Sequence, residues 1–318
     1  MNFPKLKIGK LKPDYPIIQG GMAIKVSMAK LASAVANEGG IGVIGGSALT
    51  VDDLKKEIKK AREMTDGILG VNIMFAFTGF KDVLKASIES GIDLVISGAG
   101  FSRDMFSVGN KYDVPIVPIV SSLKLARISE KLGASAVVVE GGNAGGHLGT
   151  DQDSWDIVTA IKERLKIPVI AAGDIVSNDD MDKMFNMGLD GVQMGTRFLA
   201  TLESDVSDYF KELLVRAKNS DVVKMMSSAG FPANALRTRF SELVLAGEAP
   251  KPENCNNCLK HCNKKFCIKY SLIRAREGDK DRGIFFTGEG IDKIKDIVSV
   301  KEVFDRIKNH HLLTEGVS

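Results

Sequence analysis

Short apolar, β-branched runs recur along the chain, and each is followed by a longer stretch with the three-to-four-residue spacing of an amphipathic helix. The runs cover residues 16–22, 41–44, 68–74, 94–98, 115–120, 136–140, 167–173 and 191–195. Their hydrophobicity is continuous rather than alternating, as expected of strands buried on both faces of a parallel sheet. The helices between them include an alanine-rich one over 28–37 and a charged one over 51–64. Eight strand–helix units at even spacing predict an α/β fold, a closed (β/α)8 TIM barrel in preference to an open doubly wound sheet. Glycine, serine or asparagine stands at the carboxyl end of nearly every run, which marks the face where such barrels place their chemistry.

The alternation stops after Ala200. Residues 206–217, 221–227 and 234–247 read as consecutive helices with no strand between them, and a cysteine-bearing segment follows. Helical periodicity returns over 291–307, as the closing eighth helix. The pattern therefore predicts a barrel made of residues 1–205 and 285–318, with a mainly helical insertion, 206–284, lying over its mouth as a lid that excludes water.

Composition narrows the function classes. Of 318 residues, 44% are hydrophobic and 26% charged, the balance of a soluble globular chain. A net charge of +3 is too small to point to nucleic acid. The longest apolar run is broken by Pro115 and Pro118, so no membrane span is expected, and residues 1–5 lack the apolar core of a signal peptide, which predicts a cytoplasmic protein. The charge is uneven: residues 251–282 hold nine Lys/Arg against four Asp/Glu, leaving the rest slightly acidic. A solvated face explains such a patch, and it also offers a docking surface to an acidic redox or carrier protein. A small-molecule substrate is expected, and a homodimer stays open.

The densest chemical signal is the segment from Val137-Val138-Val139-Glu140 through Gly141-Gly142-Asn143-Ala144-Gly145-Gly146 to His147. A buried strand that runs straight into glycines ends where a flat ligand can approach the backbone. His147 adds a side chain able to exchange protons near neutral pH. The loops after the seventh and eighth runs, 173–177 and 195–197, occupy the positions where barrels bind phosphate through backbone N–H groups. Ser177 and Asp180 are spaced as a capping box that opens a helix. A carboxylate repels phosphate, so the Asp174 side chain is expected to turn away, toward a sugar hydroxyl, while its N–H faces the anion.

All four cysteines, Cys255, Cys258, Cys262 and Cys267, fall within thirteen residues. The spacing C-x2-C-x3-C-x4-C is compact enough for one tetrahedral four-sulfur site, suited to zinc or an iron–sulfur cluster. Lys260, Lys264, Lys265 and Lys269 would offset the thiolate charge. His261 lies inside the motif, but four cysteines already complete a ligand set.

Taken together, Gln19-Gly20-Gly21-Met22, Asn72, Glu140 to His147, Gln193-Met194-Gly195-Thr196-Arg197-Phe198 and Gly230-Phe231-Pro232 resemble the nitronate monooxygenase family, formerly called 2-nitropropane dioxygenases. That family includes the FMN-dependent enoyl-acyl-carrier-protein reductases II, and the likeness covers most of the chain in order. It implies FMN, with Gly21, Met22 and Asn72 around the isoalloxazine ring and Gly173, Asp174, Gly195 and Thr196 around the phosphate. Met194 counts among the cofactor-binding residues, and Gly145 and Gly146 would let their loop pass close to the flavin. His147 matches the family's active-site histidine, a base or an electrostatic partner beside the substrate. The implied activity is oxidation of an alkyl nitronate, with the electrons passing through the flavin to oxygen, to a carbonyl compound and nitrite. Hydride transfer to an activated C=C bond is the alternative, and a flavin/iron–sulfur relay or sensor is a third. One position departs: the family often reads Glu-Ala-Gly-Gly-His where this chain has Asn143. The cysteine run also resembles the cluster motif of certain flavin-containing ene-reductases built on the same barrel, which implies [4Fe–4S] ahead of zinc.

Overall fold

The computed structural model describes residues 3–315; Met1, Asn2 and residues 316–318, the ends of the expected barrel segments, lie outside the described residues. Eleven strands are present among these residues: β1 (Ile17–Gln19), β2 (Gly42–Gly45), β3 (Leu69–Met74), β4 (Leu94–Gly98), β5 (Ile116–Val120), β6 (Val137–Glu140), β7 (Gly146–His147), β8 (Val169–Ala172), β9 (Gly191–Met194), β10 (Val222–Met226) and β11 (Pro232–Leu236). Eight of them form one parallel sheet in the order β1-β9-β8-β6-β5-β4-β3-β2. A parallel bridge between Ile18 and Ile41 joins the two edge strands, so the sheet closes on itself. All eight expected strands are in this barrel, and helices alternate with them around its outside. The expected (β/α)8 architecture is therefore the observed one.

Strand alternation sorts the core into layers. Ile18, Val43, Leu94, Ile96, Val117, Val138 and Ile170 pack together inside the barrel, and Leu6 and Ile8 from the N-terminal segment join them. The intervening residues, such as Val137, Val139, Val169, Ala171, Val192 and Met194, pack outward with residues of the surrounding helices. Polar side chains two residues beyond an inward apolar one thus end up inside the barrel at its carboxyl end.

The insertion differs from its sequence reading. The helix Asp208–Arg216 forms as expected, but β10 and β11 occupy 222–226 and 232–236, where helices were expected, and of 234–247 only Arg239–Ala246 is helical. The reason is visible in Val222-Val223-Lys224-Met225-Met226, where Val223 and Met225 are buried while Lys224 and Met226 are exposed. That is a period of two, short enough to be masked by its helical neighbours. The hairpin takes β7 as a third, antiparallel strand, with Ala233 paired to His147 and Asn234 to Gly146. The last helix is Val300–Glu315, later than the expected 291–307, because residues 289–293 form a 3-10 turn. No helix among the described residues is long and apolar enough to cross a membrane.

Candidate active site

A cavity of ≈ 540 Å³ opens at the carboxyl ends of the barrel strands and is walled on its other side by Phe210, Phe231 and Leu272 of the insertion and by Phe286 just after it. Gly21, Met22, Asn72, Gly145, Gly146, His147, Gly173, Asp174, Gly195 and Thr196 all border it. Met194 does not: its side chain is buried in the outward layer, and only its carbonyl serves this region, accepting from the Gly20 N–H at 2.9 Å. Its neighbour Gln193 points the other way and borders the cavity.

Three polar side chains reach the cavity through strand alternation. Glu140 follows inward Val138 by two residues and borders the cavity at the end of β6. Burial pushes its carboxyl up from 4.5 to about 8, so it is mostly protonated at neutral pH and offers a proton rather than a charge. Asn72 on β3 donates through Nδ2 to the Gly21 carbonyl at 2.6 Å, while its Oδ1 is buried without a protein partner. Gln193 Oε1 on β9 is likewise unpartnered. Gly21 must be glycine, since a Cβ there would stand 2.3 Å from Cβ of Asn72 and 2.8 Å from Cγ1 of Val43.

His147 is held by the insertion. Its Nε2 lies 2.8 Å from Ser227 Oγ, and its ring meets Phe286 and Phe231 edge-on at centroid distances of 5.3 and 6.2 Å. Burial lowers the imidazole to about 4, so it is neutral at physiological pH. Ser227 Oγ already accepts from the Ala229 N–H at 3.2 Å, which leaves its own proton to donate to Nε2.

Around the opposite rim, Gly173 adopts φ +106° and a Cβ there would lie 2.3 Å from Ser154 Oγ. Asp174 follows at φ 52°, a left-handed conformation rare outside glycine and asparagine. Its carboxylate turns to Lys293, whose Nζ sits 3.0 Å from both Asp174 Oδ1 and Asp180 Oδ1. Its partner in the chain is thus a lysine, where the sequence suggested a sugar hydroxyl. Burial raises the Asp174 carboxyl, with Lys293 opposing, whereas hydrogen bonds from Ser177 and Lys293 outweigh burial at Asp180 and hold it low. The Ser177–Asp180 capping box forms as expected. A Cβ on Gly195 would meet nothing within 4 Å, so the backbone there is open to a ligand. Thr196 Oγ1 accepts from the Gly288 N–H at 3.2 Å. Arg197 faces away, its guanidinium bonded to Asp296 and to the Ala200 carbonyl.

Asn143 is a scaffold residue. It is buried, accepts from Ser154 Oγ at 2.6 Å and donates to Asp153 at 2.9 Å. It thereby fastens the glycine loop to the start of the helix Ser154–Lys162, and a glutamate there would set a carboxylate against Asp153. Asn234 of β11 grips the same loop from above, donating to the carbonyls of Gly142 and Ala144 at 2.8 Å each. Asn234, Ser227 and Lys293 carry no motif in the sequence; only their tertiary partners disclose them. After the third strand, Phe77 borders the cavity with Met74, whereas Phe75 packs on Phe80 under Lys260.

The four cysteines are free thiols, Cys255 exposed and the others half-buried. Among the described residues no three His, Cys, Asp or Glu side chains converge as the ligands of a metal ion. Burial pushes the Cys258 thiol up, Lys269 opposes that rise, and Cys267 and Cys262 are near enough to add to it.

Comparison with known proteins adds to this geometry. Residues 5–309 match the nitronate monooxygenase family. A Staphylococcus aureus protein described as a probable nitronate monooxygenase is 28% identical over 76% of this chain and 81% of its own. A Mycobacterium tuberculosis protein named (3aS,4S,5R,7aS)-5-hydroxy-7a-methyl-1-oxo-octahydro-1H-indene-4-carboxyl-CoA dehydrogenase is 30% identical over 74% of this chain and 66% of its own. The structure of FabK from Thermotoga maritima superposes with a TM-score of 0.86 at 35% identity, covering 96% of each chain. The chain belongs to the nitronate monooxygenase family of FMN-dependent oxidoreductases.

Proposed function

We propose that this protein oxidises alkyl nitronates with FMN bound in the barrel-mouth cavity. The observation that carries the reading is the meeting, in one cavity, of His147 with the unpartnered acceptors Asn72 Oδ1 and Gln193 Oε1. Two buried acceptors without donors fit a heteroaromatic ligand that brings its own N–H groups. The open backbone at Gly195, with Thr196 beside it, fits the phosphate end, and Lys293 draws the Asp174 carboxylate aside. Bound FMN supplies a two-electron acceptor that can return electrons to oxygen.

The chain's own part is to bind and orient. Neutral His147, fixed by Ser227, presents a hydrogen bond to a nitronate oxygen without a fixed positive charge that would trap the anionic substrate. Protonated Glu140 keeps a second negative charge away from an anionic substrate. Phe210, Phe231 and Phe286 add apolar wall to the same cavity, which would limit water around a bound substrate.

Reduction of an activated C=C bond is the second reading. Met74, Phe77, Phe101 and Leu125 add apolar wall of the kind an acyl chain packs on, and the similarity to FabK supports this reading. An anaerobic absorbance titration separates the two. Bleaching of the bound flavin by an alkyl nitronate alone supports nitronate oxidation. Rapid bleaching by NAD(P)H with no response to nitronate overturns it in favour of the reductase.

A further inference from the structure

The cysteine segment makes a second cavity of its own. Residues 251–267 adopt no helix or regular strand, so their backbone is shaped by turns and by contacts with the body of the protein. Asn257 and Lys264 both take left-handed φ values, 48° and 56°, each bending the chain between two cysteines. The loop is nevertheless anchored. The Cys258 carbonyl accepts from the Thr78 N–H at 3.0 Å, the Lys260 N–H donates to Ala76 at 2.8 Å, and the Asn263 N–H donates to Ser228 at 3.0 Å. Phe266 is buried in the insertion's apolar core, and Cys267 stands at the N-terminus of the helix Ile268–Glu277. The result is a cavity of ≈ 390 Å³ that all four cysteines line together, with Lys260, Lys264 and Lys269 on the same walls.

Four thiols around one anchored cavity, with cations beside them, are a donor set for a metal–sulfur centre. Both zinc and iron–sulfur centres take such a donor set. A single zinc ion with Zn–S bonds of about 2.3 Å draws its sulfurs to within roughly 3.8 Å of one another in a tetrahedron. Among the described residues no three such side chains are gathered around a single metal ion. A polynuclear iron–sulfur core holds its cysteines at its outer corners, farther apart, and its net negative charge calls for nearby lysines.

We propose that Cys255, Cys258, Cys262 and Cys267 ligate a [4Fe–4S] cluster in this second cavity, and that the cluster passes single electrons to the neighbouring flavin site. Cys258, Leu259, Ile268 and Lys269 line both cavities, so one layer of residues separates them. The site itself is independent of the nitronate reading; only electron passage rests on FMN occupying the larger cavity. In that passage a reduced one-electron carrier protein gives one electron to the oxidised cluster. The cluster returns to its oxidised state by giving that electron onward. Two such transfers, with two protons from solvent, complete the reduction of one FMN.

The test is iron and acid-labile sulfide analysis of the full chain, purified anaerobically and then incubated with ferrous iron, sulfide and thiol, with electron paramagnetic resonance after dithionite reduction. The expected result is about four iron and four sulfide per chain with a reduced-cluster signal. Cys255→Ser and Cys262→Ser should lower bound iron at least two-fold while keeping FMN content, whereas His147→Ala should keep all the iron. Stoichiometric zinc without sulfide, or four titratable thiols and no iron after incubation, overturns the proposal and leaves the nitronate reading untouched. A cluster that a reduced one-electron carrier protein reduces while the flavin stays oxidised in the same sample overturns the electron path alone.

Discussion

The 2.8 Å contact between His147 Nε2 and Ser227 Oγ joins the glycine loop that leaves β6 to the hairpin of the insertion. The imidazole is thus oriented by a residue 80 positions away. Removing that hydroxyl by Ser227→Ala should lower kcat for nitronate about 10-fold, in line with loss of one orienting hydrogen bond. His147→Ala should lower it about 100-fold, the scale of a lost proton-handling group. Bound FMN, measured by absorbance, should be unchanged in both.

The unpartnered acceptors predict a different defect. Asn72→Ala removes Oδ1 from the cavity and the Nδ2 bond to Gly21. The FMN dissociation constant, followed by flavin fluorescence, should rise about 10-fold, the worth of one or two hydrogen bonds. Gln193→Ala should act in the same direction.

Glu140 ties stability to pH. Its folded-state value of about 8 lies above the ordinary 4.5, so the folded chain holds this proton where the unfolded chain has lost it. Its contribution is complete below pH 4.5 and is lost as pH rises toward 8. His147, lowered to about 4 from 6.5, acts in the opposite sense and costs stability as pH falls from 6.5 toward 4. Glu140→Gln should therefore gain on the parent chain steadily from pH 4.5 to 8 in thermal unfolding. Equal melting-temperature differences at pH 5 and pH 8 would refute the assignment.

Restoring the residue more usual for the family at 143 should be harmful here. In Asn143→Glu a carboxylate would be buried beside Asp153, and the Ser154 and Asp153 hydrogen bonds would be lost. A cost of about 3 kcal/mol is expected for an uncompensated buried charge, or roughly 6 °C or more in melting temperature. Asn143→Glu with Asp153→Asn should recover part of it.

Legibility in the sequence follows the range of the forces involved. The barrel strands are readable because a parallel strand buried on both faces is apolar at every position, as in Val137-Val138-Val139. β10 is not, because its signal is five residues of alternation. The glycine loop and His147 are readable because a backbone that must approach a ligand excludes side chains locally. Met194 and Gln193 show the limit: both lie in one motif, yet strand alternation sends one into the helix-facing core and the other to the cavity. The protonation of Glu140 and the pairing of Asp174 with Lys293 depend on burial and on a residue 119 positions distant, which no local pattern encodes.

The pairing of β7 with β11 has a mechanical result. The reactive imidazole is bolted to the door of the chamber as well as to its frame, through the Ala233–His147 register and the Ser227 hydroxyl. The ring's alignment therefore rests on the seating of the hairpin as much as on the glycine loop that carries it. A change anywhere in residues 222–236 that shifts this hairpin is thus a change to the imidazole's position, even where it touches no ligand.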